Sequence, residues 1–445
     1  MGAPKTIDIV VVDSSYNGAD SKIYELNPYT QSGFEGFTQK TRHSMDSVVQ
    51  SKLEELFPDK EVFYNPGPDE IDESDPDTIY FVPENAQDVS AYMLELSKED
   101  RQPRCIINNI NPAFHLMTDN KIAIPTTFGH IPEITNGFPK QAVFCDPDTN
   151  LTAGKLRNAL GNPNLFVFKP GDSAVGEGIN FVEGTNLEST ISTLFSSDAY
   201  DPTLSDEFLD KATEKIGLDR TYWPPTAWAA FPGFVVQAGV LSQTQTFADD
   251  RESYSAARTV WIVIDGKEAI PVAGYLKPSP APSTEANLNK RFISSIDDDC
   301  IILETDDPVF SALGKPVSAI VEATQSLPKY AEWSKQLLQS NKPSEIALGI
   351  ETLSSIHYPA YGGHPSYTVD DEEEIDSSLQ RLPKEIEDIL TNIYRRGPES
   401  SKRQLTNLLG KNSPFFQKSS LYKSLLHISR QAPGRELMGW TPPET

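Results

Sequence analysis

Residues 166–179 read FVFKPGDSAVGEGI and are the most informative part of the chain. A strand-like run ends on Lys169, a loop with three glycines follows, and a second strand-like run begins at Ile179. Glycines let backbone N–H groups surround phosphate oxygens, and a lysine adds a point charge for phosphate. The stretch is neither a Walker loop, which needs Gly-Lys-Ser/Thr, nor a Rossmann fingerprint, which needs a helix after the glycines. Alone, it fits a phosphate-binding flap and an ordinary hairpin equally well.

Composition limits the classes of function. A chain of 445 residues can form two or three domains. Its net charge of -26 repels phosphate backbones and anionic lipid, so we expect neither nucleic acid nor a membrane as a partner. No apolar run approaches the roughly 20 residues of a spanning helix. The three cysteines are far apart and form no CxxC, which predicts a reducing, cytoplasmic location.

The N-terminal third alternates strand and helix patterns. Residues 7–12 form a nearly continuous apolar strand that the polar residues Asp13-Ser14-Ser15 are predicted to end. Further strands are predicted at 78–82 and 104–107, and helices at 44–56 and 86–96. Strands spaced by helices favour a small parallel α/β layer.

The middle of the chain has an antiparallel pattern. Strands are predicted at 234–240, 258–264 and 269–276, and Asp265-Gly266 between the last two is a strong hairpin signal. The C-terminus is mostly helical after the acidic run 370–374, which we interpret as a solvated linker. The overall prediction is a mixed α/β (α+β) fold. The predicted divisions are an N-terminal α/β domain, a subdomain with the glycine flap, an antiparallel core, and an acidic linker with a helical extension (1–112, 113–233, 234–368 and 369–445).

Several short motifs stand before and after the flap, and their order along the chain is informative. Upstream, Asn-rich residues 108–112 precede Lys121 and then Ile124-Pro125-Thr126. Downstream come Val235-Val236-Gln237, a strand headed by Arg258, and the basic residue Lys277. In this order the features resemble the ATP-grasp superfamily, in its carboxylate–amine ligase branch with glutathione synthetase-like ATP-binding domains. The resemblance covers roughly residues 5–360 and leaves the helical extension unaccounted for.

The resemblance implies a role for each matching residue. Lys121 and Lys169 would contact the α- and β-phosphates of ATP, under a lid formed by Ser173, Gly176 and Gly178. Gln237 and Ala238 would lie at the adenine hinge, with the Ala238 backbone pairing with the base edge. Arg258 would stabilise charge on the transferring phosphoryl group, and Lys277 would reach the γ-phosphate.

The magnesium ligands are where the chain departs from the family. Family members end the site with a Val-Asp strand and a Glu-x-Asn strand that hold Mg²⁺, and no strand-like run after Lys277 contains Glu-x-Asn; the pattern occurs there only in the polar stretch Glu285-Ala286-Asn287. The sequence instead predicts Glu351, in a strand-like apolar stretch, or Glu304 as the carboxylate ligand. Asn287 or Asn289 would lie near the metal and the phosphates.

Three functions stay open on the sequence. The first is an ATP-dependent ligase that joins a small-molecule carboxylate, such as an amino acid, to an amine. The second is a nucleotide-binding but catalytically degenerate relative, which the missing Glu-x-Asn favours. The third is a small-molecule kinase, since phosphate-binding residues do not specify the acceptor. A homodimer is left open.

Overall fold

The chain has a mixed α/β fold, as the sequence predicts. The computed structural model describes residues 6–29, 33–83, 104–108, 111–145, 152–171, 179–194, 233–247, 250–292, 300–357, 381–409 and 419–431. The strands are β1 (Ile7–Ser15), β2 (Ile23–Pro28), β3 (Glu61–Tyr64), β4 (Thr78–Phe81), β5 (Ile106–Ile107), β6 (Gln141–Phe144), β7 (Leu165–Pro170), β8 (Asn180–Glu183), β9 (Phe234–Ala238), β10 (Thr244–Thr246), β11 (Glu252–Ile264), β12 (Glu268–Pro278) and β13 (Ile301–Leu303).

The helices alternate with these strands and then dominate the C-terminal part. They are α1 (Glu35–Thr41), α2 (Met45–Leu56), α3 (Pro112–Asp119), α4 (Ala123–Phe128), α5 (Pro132–Thr135), α6 (Ala153–Leu160), α7 (Leu187–Leu194), α8 (Leu288–Phe292), α9 (Pro308–Gln325), α10 (Tyr330–Leu338), α11 (Pro343–His357), α12 (Lys384–Arg396), α13 (Glu399–Leu409) and α14 (Ser420–Gln431). The helix predicted at 86–96 lies outside the described residues.

The largest sheet is antiparallel and has the strand order β13-β12-β11-β1-β2, with β10 pairing with β11. Strands β11 and β12 form the predicted hairpin. Asp265 and Gly266 both have positive φ, 49° and 66°, as a tight turn between twisted strands requires. A Cβ on Gly266 would lie 2.7 Å from the Cα of Glu322, so the turn also packs closely against α9.

The first strand corrects the sequence prediction. Strand β1 pairs antiparallel with both β11 and β2, so it does not belong to a parallel layer. It also continues through Asp13, Ser14 and Ser15, which were expected to end it. A continuous apolar run identifies a strand buried on both faces but does not specify the direction of its neighbours.

Two smaller sheets complete the described fold. Strands β3, β4 and β5 form a parallel layer. It contains two of the predicted strands, β4 and β5, and also β3, which was not predicted. A single parallel bridge between Ile7 and Asn108 connects this layer to β1. Strands β6, β9, β7 and β8 form an antiparallel sheet, hereafter the small sheet. It carries Lys169 near the end of β7.

Each face of the largest sheet is covered by a hydrophobic core. Trp261 faces the core shared with α3, α4 and α9. Tyr275 faces the core shared with α1, α2 and the parallel layer. Side chains alternate between the two faces along each strand, so the two cores contain alternate residues of β1.

The C-terminal helices form a core of their own from α11 to α14. Ala347 of α11 also packs with Val235 of the small sheet and with Ile122. The domain boundaries stay predictions, although β1 from the first predicted segment pairs with β11 from the third. None of the described helices combines the length and the apolar character needed to cross a membrane.

Candidate functional site

Asp13 lies between two cations on the face of the largest sheet. Its carboxylate accepts hydrogen bonds from Nε and Nη2 of Arg258, each at 3.0 Å. The Nζ of Lys277 lies 3.0 Å from Oδ1 of the same carboxylate. Asp13 and Arg258 are direct partners on neighbouring strands, and Lys277 is two residues beyond Tyr275, the partner of Arg258. All three side chains therefore point to one face of the sheet.

Arg258 also holds the segment that follows β2. Its Nη1 donates a hydrogen bond of 3.0 Å to the carbonyl of Gly33, which also accepts from the hydroxyl of Tyr275. The guanidinium lies over the ring of Phe34, 5.7 Å from its centre. Gly33 has φ of +86°, and a Cβ there would lie 2.1 Å from Nη1. Only glycine fits this close approach.

A bulge between β1 and β2 brings the small sheet to the largest sheet. Asp13 pairs with Glu25, but the next residue, Ser14, pairs with Ile23, so Tyr24 is an extra residue. The carbonyl of Tyr24 accepts a hydrogen bond of 3.0 Å from Nζ of Lys169. The same ammonium lies 5.7 Å from the centre of the Tyr24 ring. The end of β7 is thereby tied to the edge strand β2.

A small cleft that opens to solvent lies between β2, the segment of α3 and α4, and the small sheet. Lys121, Lys169 and Gln237, which the sequence predicts to bind one nucleotide, all line it. Glu25 lies in the same cleft and forms an ion pair with Lys121, with 3.3 Å between Nζ and Oε1. The structure therefore brings together three of the predicted nucleotide-binding residues.

Burial and neighbouring charges set the protonation of the cluster. Burial alone would raise the pKa of Asp13, but the charges of Arg258 and Lys277 and their hydrogen bonds hold that pKa well below its usual range. Burial lowers the pKa of Lys169 to about 8, with Glu25 and Asp13 opposing this shift and Lys121 adding to it. Burial also lowers the pKa of Lys277, against the charges of Asp13 and Glu25.

The cluster has an excess of positive charge. Four cations, Lys121, Lys169, Arg258 and Lys277, face two carboxylates, Asp13 and Glu25, which gives a net of +2 when all are ionised. The whole chain carries -26. Of the four cations, Lys121 and Lys169 line the cleft, whereas Arg258 and Lys277 do not. The positive charge of the whole cluster attracts a small anion with several charges even though the rest of the surface repels it.

A strand near the N-terminus contains the pattern Glu-x-Asn. Glu25-Leu26-Asn27 lies in β2, and Val12-Asp13 lies in the neighbouring β1. Asp13 pairs with Glu25 and Val11 pairs with Asn27, so Asp13, Glu25 and Asn27 share one face. These residues were not among the predicted metal ligands, which all follow Lys277 in the sequence. Antiparallel pairing of β1 with β11 brings them to the cations.

The predicted adenine contacts have a mixed outcome. Gln237 faces the cleft, and its Nε2 donates a hydrogen bond of 2.9 Å to Oε1 of Gln141. The Ala238 N–H already donates to the carbonyl of Lys140 at 2.8 Å, because β9 lies between β6 and β7. Pairing of this N–H with a base edge would break that bond, so the Ala238 N–H is not available for the predicted contact.

The residues after Lys277 that were predicted to bind metal take part in hydrogen bonds within the fold or lie in a helix. Oδ1 of Asn287 accepts from the N–H groups of Asn289 and Lys290 at the start of α8. Oδ1 of Asn289 accepts from the Phe181 N–H at 2.9 Å, and its Nδ2 donates to Asn180 at 3.0 Å. Glu351 lies in helix α11, and its predicted strand is wrong. Ser173, Gly176 and Gly178 lie outside the described residues.

Magnesium and ATP, which the resemblance implies, can be tested against the side chains present. Mg²⁺ is usually bound by one or two carboxylates together with phosphate oxygens, not by a cage made only of protein groups. Asp13 and Glu25, with the Asn27 amide, provide such an oxygen set beside four cations that suit phosphates. Within the described residues, no three His, Cys, Asp or Glu side chains form a metal-binding group by themselves. The residues therefore fit a metal held jointly with a nucleotide.

Comparison with known proteins gives no family. No protein-family model matches the chain, and the curated proteins contain no match. Among solved structures, a similar chain is the crystal structure of a "Putative gamma-glutamylcysteine synthetase" from Methylobacillus flagellatus KT. The alignment has 12% identity and a TM-score of 0.28, and it covers 79% of this chain and 89% of the other. At this TM-score the likeness does not establish a shared fold.

Proposed function

We propose that this protein is an ATP-dependent carboxylate–amine ligase of the ATP-grasp type. The observation that carries the proposal is the cation cluster at the cleft. Lys121, Lys169, Arg258 and Lys277 come from different parts of the chain and meet around Asp13 and Glu25. A nucleoside triphosphate has the clustered negative charge that such a group of cations attracts.

In this proposal the small sheet and the edge of β2 hold the nucleotide. Lys169 and Lys121 bind phosphate oxygens, and the Gln237 and Gln141 amides lie on the same face of the small sheet for the base. Val167 is the partner of Gln237 on β7 and offers apolar surface to the base. Ser173, Gly176 and Gly178 follow Lys169 in the glycine-rich loop and are proposed to form a lid over the phosphates.

Asp13, Glu25 and Asn27 are the proposed magnesium ligands, in place of Glu351, Asn287 and Asn289. The metal would neutralise charge on the phosphates and orient the terminal phosphoryl group. Lys277 would then bind the γ-phosphate. Arg258 donates Nε and Nη2 to Asp13 and Nη1 to the Gly33 carbonyl. It would therefore hold the metal-binding face of the sheet against the segment that precedes α1.

The proposed chemistry has two steps. A carboxylate oxygen of the first substrate attacks the γ-phosphorus of ATP, and ADP leaves, which gives an acyl phosphate. The nitrogen of an amine then attacks the acyl carbon; phosphate leaves, and the nitrogen loses a proton to give the amide. The cations stabilise the charge that develops in both steps. A closed cleft protects the acyl phosphate from water.

The degenerate alternative has lost its main support. It was favoured because no strand-like run after Lys277 contains Glu-x-Asn, and Glu25-Leu26-Asn27 lies in a strand beside Asp13. No feature of the described residues favours a kinase over a ligase. The difference between them lies in the product and is an outcome of the test.

The test begins with binding. Purified protein is titrated with ATP in the presence and absence of Mg²⁺, and binding is followed by calorimetry and by the melting temperature. We expect binding that needs Mg²⁺ and is lost in Lys169→Glu, with Lys155→Glu as the control because Lys155 is exposed on α6 of the same region. Amino acids and other small carboxylates are then screened with amines for release of ADP and phosphate.

A product with the mass of acid plus amine minus water would support the ligase. A phosphorylated product without an amide would instead show a kinase. ATP turnover that is unchanged in Lys169→Glu would overturn the proposed site, since the residue lies buried at the centre of the cluster.

A further inference from the structure

Helix α11 connects the C-terminal helices to the wall of the cleft. Most of its apolar residues pack into the core formed with α12, α13 and α14. Ala347, which is fully buried, lies instead in a small apolar cluster with Ile122 and Val235. The same helix also packs against α4, which contributes Ile124 and Pro125 to the cleft. One helix therefore belongs both to the helical core and to the back of the cleft.

The two residues in the cluster with Ala347 adjoin the two lysines of the cleft. Ile122 follows Lys121 directly in the sequence. Val235 lines the cleft and is the register partner of Lys169, because β9 pairs with β7. The methyl group of Ala347 thus lies behind the backbone that carries both phosphate-binding lysines. A shift of Ala347 would change the positions of both.

A side chain of α13 holds Ala347 in place. Gln404 is 2% exposed, and its Nε2 donates a hydrogen bond of 3.0 Å to the carbonyl of Ala347. In the described part of the chain, the buried Oε1 of Gln404 has no hydrogen-bond partner. A buried polar atom without a partner lowers stability. Stability alone would therefore favour an apolar side chain of the same length at this position.

We infer that Gln404 is a positioning residue of the nucleotide cleft, through which the C-terminal helices set the affinity for the nucleotide. This inference rests on the proposed function and extends it to a part of the chain that the family resemblance leaves unaccounted for. Hydrophobic contacts between helices are not directional, whereas a hydrogen bond fixes one arrangement. With Ala347 fixed, Lys121 and Lys169 keep the spacing that phosphate oxygens require.

The test compares the wild-type protein with Gln404→Met. Methionine is unbranched, similar in length and a good helix former, and the Ala347 carbonyl keeps its partner within α11. The free energy of unfolding should therefore change little. We expect the Kd of magnesium–ATP, measured by calorimetry, to rise about fivefold or more. In the protein without nucleotide, amides of residues 121–128 and 234–238 should exchange hydrogen faster, as measured by mass spectrometry.

Ser401→Ala is the matched control. Ser401 lies three residues before Gln404 on the same helix face, is fully buried, and its Oγ has no hydrogen-bond partner among the described residues. The variant removes a buried polar group from this face without breaking a hydrogen bond. It should be at least as stable as the wild-type protein. Its Kd for magnesium–ATP and its hydrogen exchange at 121–128 and 234–238 should be unchanged.

Equal Kd values and equal exchange rates in Gln404→Met and Ser401→Ala would overturn the inference. If Gln404→Met does not fold, the wild-type protein decides, because coupling between two sites is reciprocal. Magnesium–ATP should then slow hydrogen exchange in α13, and unchanged exchange there would contradict the coupling.

Failure of the proposed function has a different signature. The wild-type protein would not bind magnesium–ATP, while faster exchange at 121–128 and 234–238 in Gln404→Met but not in Ser401→Ala would still show that Gln404 positions the cleft.

Discussion

Asp13 and Glu25 lie opposite each other on antiparallel neighbours, β1 and β2, immediately before a bulge that admits Tyr24 as an extra residue. This pairing brings one carboxylate to Arg258 and Lys277 and the other to Lys121. The bulge in turn directs the Tyr24 carbonyl to Lys169. A single irregularity in strand pairing thus joins the cations of the largest sheet to those of the small sheet.

Replacement of Lys169 by alanine should weaken binding of magnesium–ATP. The variant loses a charge-assisted hydrogen bond to phosphate, which costs about 2 kcal/mol, or about thirtyfold in Kd. Calorimetric titration measures the change. Lys155→Ala, at an exposed position of α6, should bind as the wild-type protein does. Equal affinities of the two variants would exclude Lys169 from the phosphate site.

The two sets of proposed metal ligands can be separated with a pair of asparagine variants. Asn27→Ala should abolish the magnesium-dependent rise in melting temperature with ATP, while the free energy of unfolding changes by less than about 0.5 kcal/mol, as for partly exposed positions. Asn289→Ala should lower the free energy of unfolding by about 2 kcal/mol, because the Phe181 N–H and Asn180 lose a buried partner. It should keep the magnesium dependence. Loss of the magnesium dependence in Asn289→Ala but not in Asn27→Ala would indicate that the metal is bound at α8.

Gly33→Ala should destabilise the protein and disturb Arg258. The residue has φ of +86°, and the added Cβ would lie 2.1 Å from Nη1 of Arg258. We expect a loss of about 2 kcal/mol in unfolding free energy, measured by urea denaturation. Gly154→Ala is the control, since its Cβ meets nothing closer than 3.9 Å and lies in helix α6, where alanine is favoured. That variant should be as stable as the wild-type protein or more so.

Asp8 should make the protein less stable as the pH rises from about 4 to about 6. Burial raises its pKa to about 6, against the hydrogen bond of 2.8 Å from Gln325. Between the usual value of 3.8 and this one, the folded state binds more protons than the unfolded state. Stability conferred by the protonated form is therefore lost as pH rises through that window, by up to about 3 kcal/mol.

The variant Asp8→Asn tests this pH dependence. It keeps an oxygen for Gln325 but cannot ionise. The free energy of unfolding of the variant minus that of the wild-type protein should increase between pH 4 and pH 6 and stay constant above pH 6. Urea denaturation at several pH values measures the difference. A constant difference across that range would show that Asp8 does not carry the pH dependence.

Local pattern in the sequence was enough to predict many elements and part of the site. The strand-like run that ends at Lys169, helix 44–56 and the Asp265-Gly266 turn agree with the structure to within a residue or so. These features depend on hydrophobic period, capping and turn chemistry, which act over a few residues. The order of Lys121, Lys169 and Gln237 along the chain also predicted that they share one cleft, and they do.

The partners of β1 were decided only by the tertiary structure. The hydrogen bond between Asp13 and Arg258 joins residues 245 positions apart. A run such as Ile7–Ser15 could be buried equally well in a parallel or an antiparallel sheet, because both bury a continuous apolar strand on two faces. Because β1 pairs with β11 and β2, Asp13, which was expected to end the strand, lies at the centre of an ion-pair cluster. The same pairing places Glu25-Leu26-Asn27 beside a candidate site whose other residues come mainly from 121–277. Residue types and short-range order come from the sequence alone; which distant strands pair, and so which charges meet, is set by the packing of the whole chain.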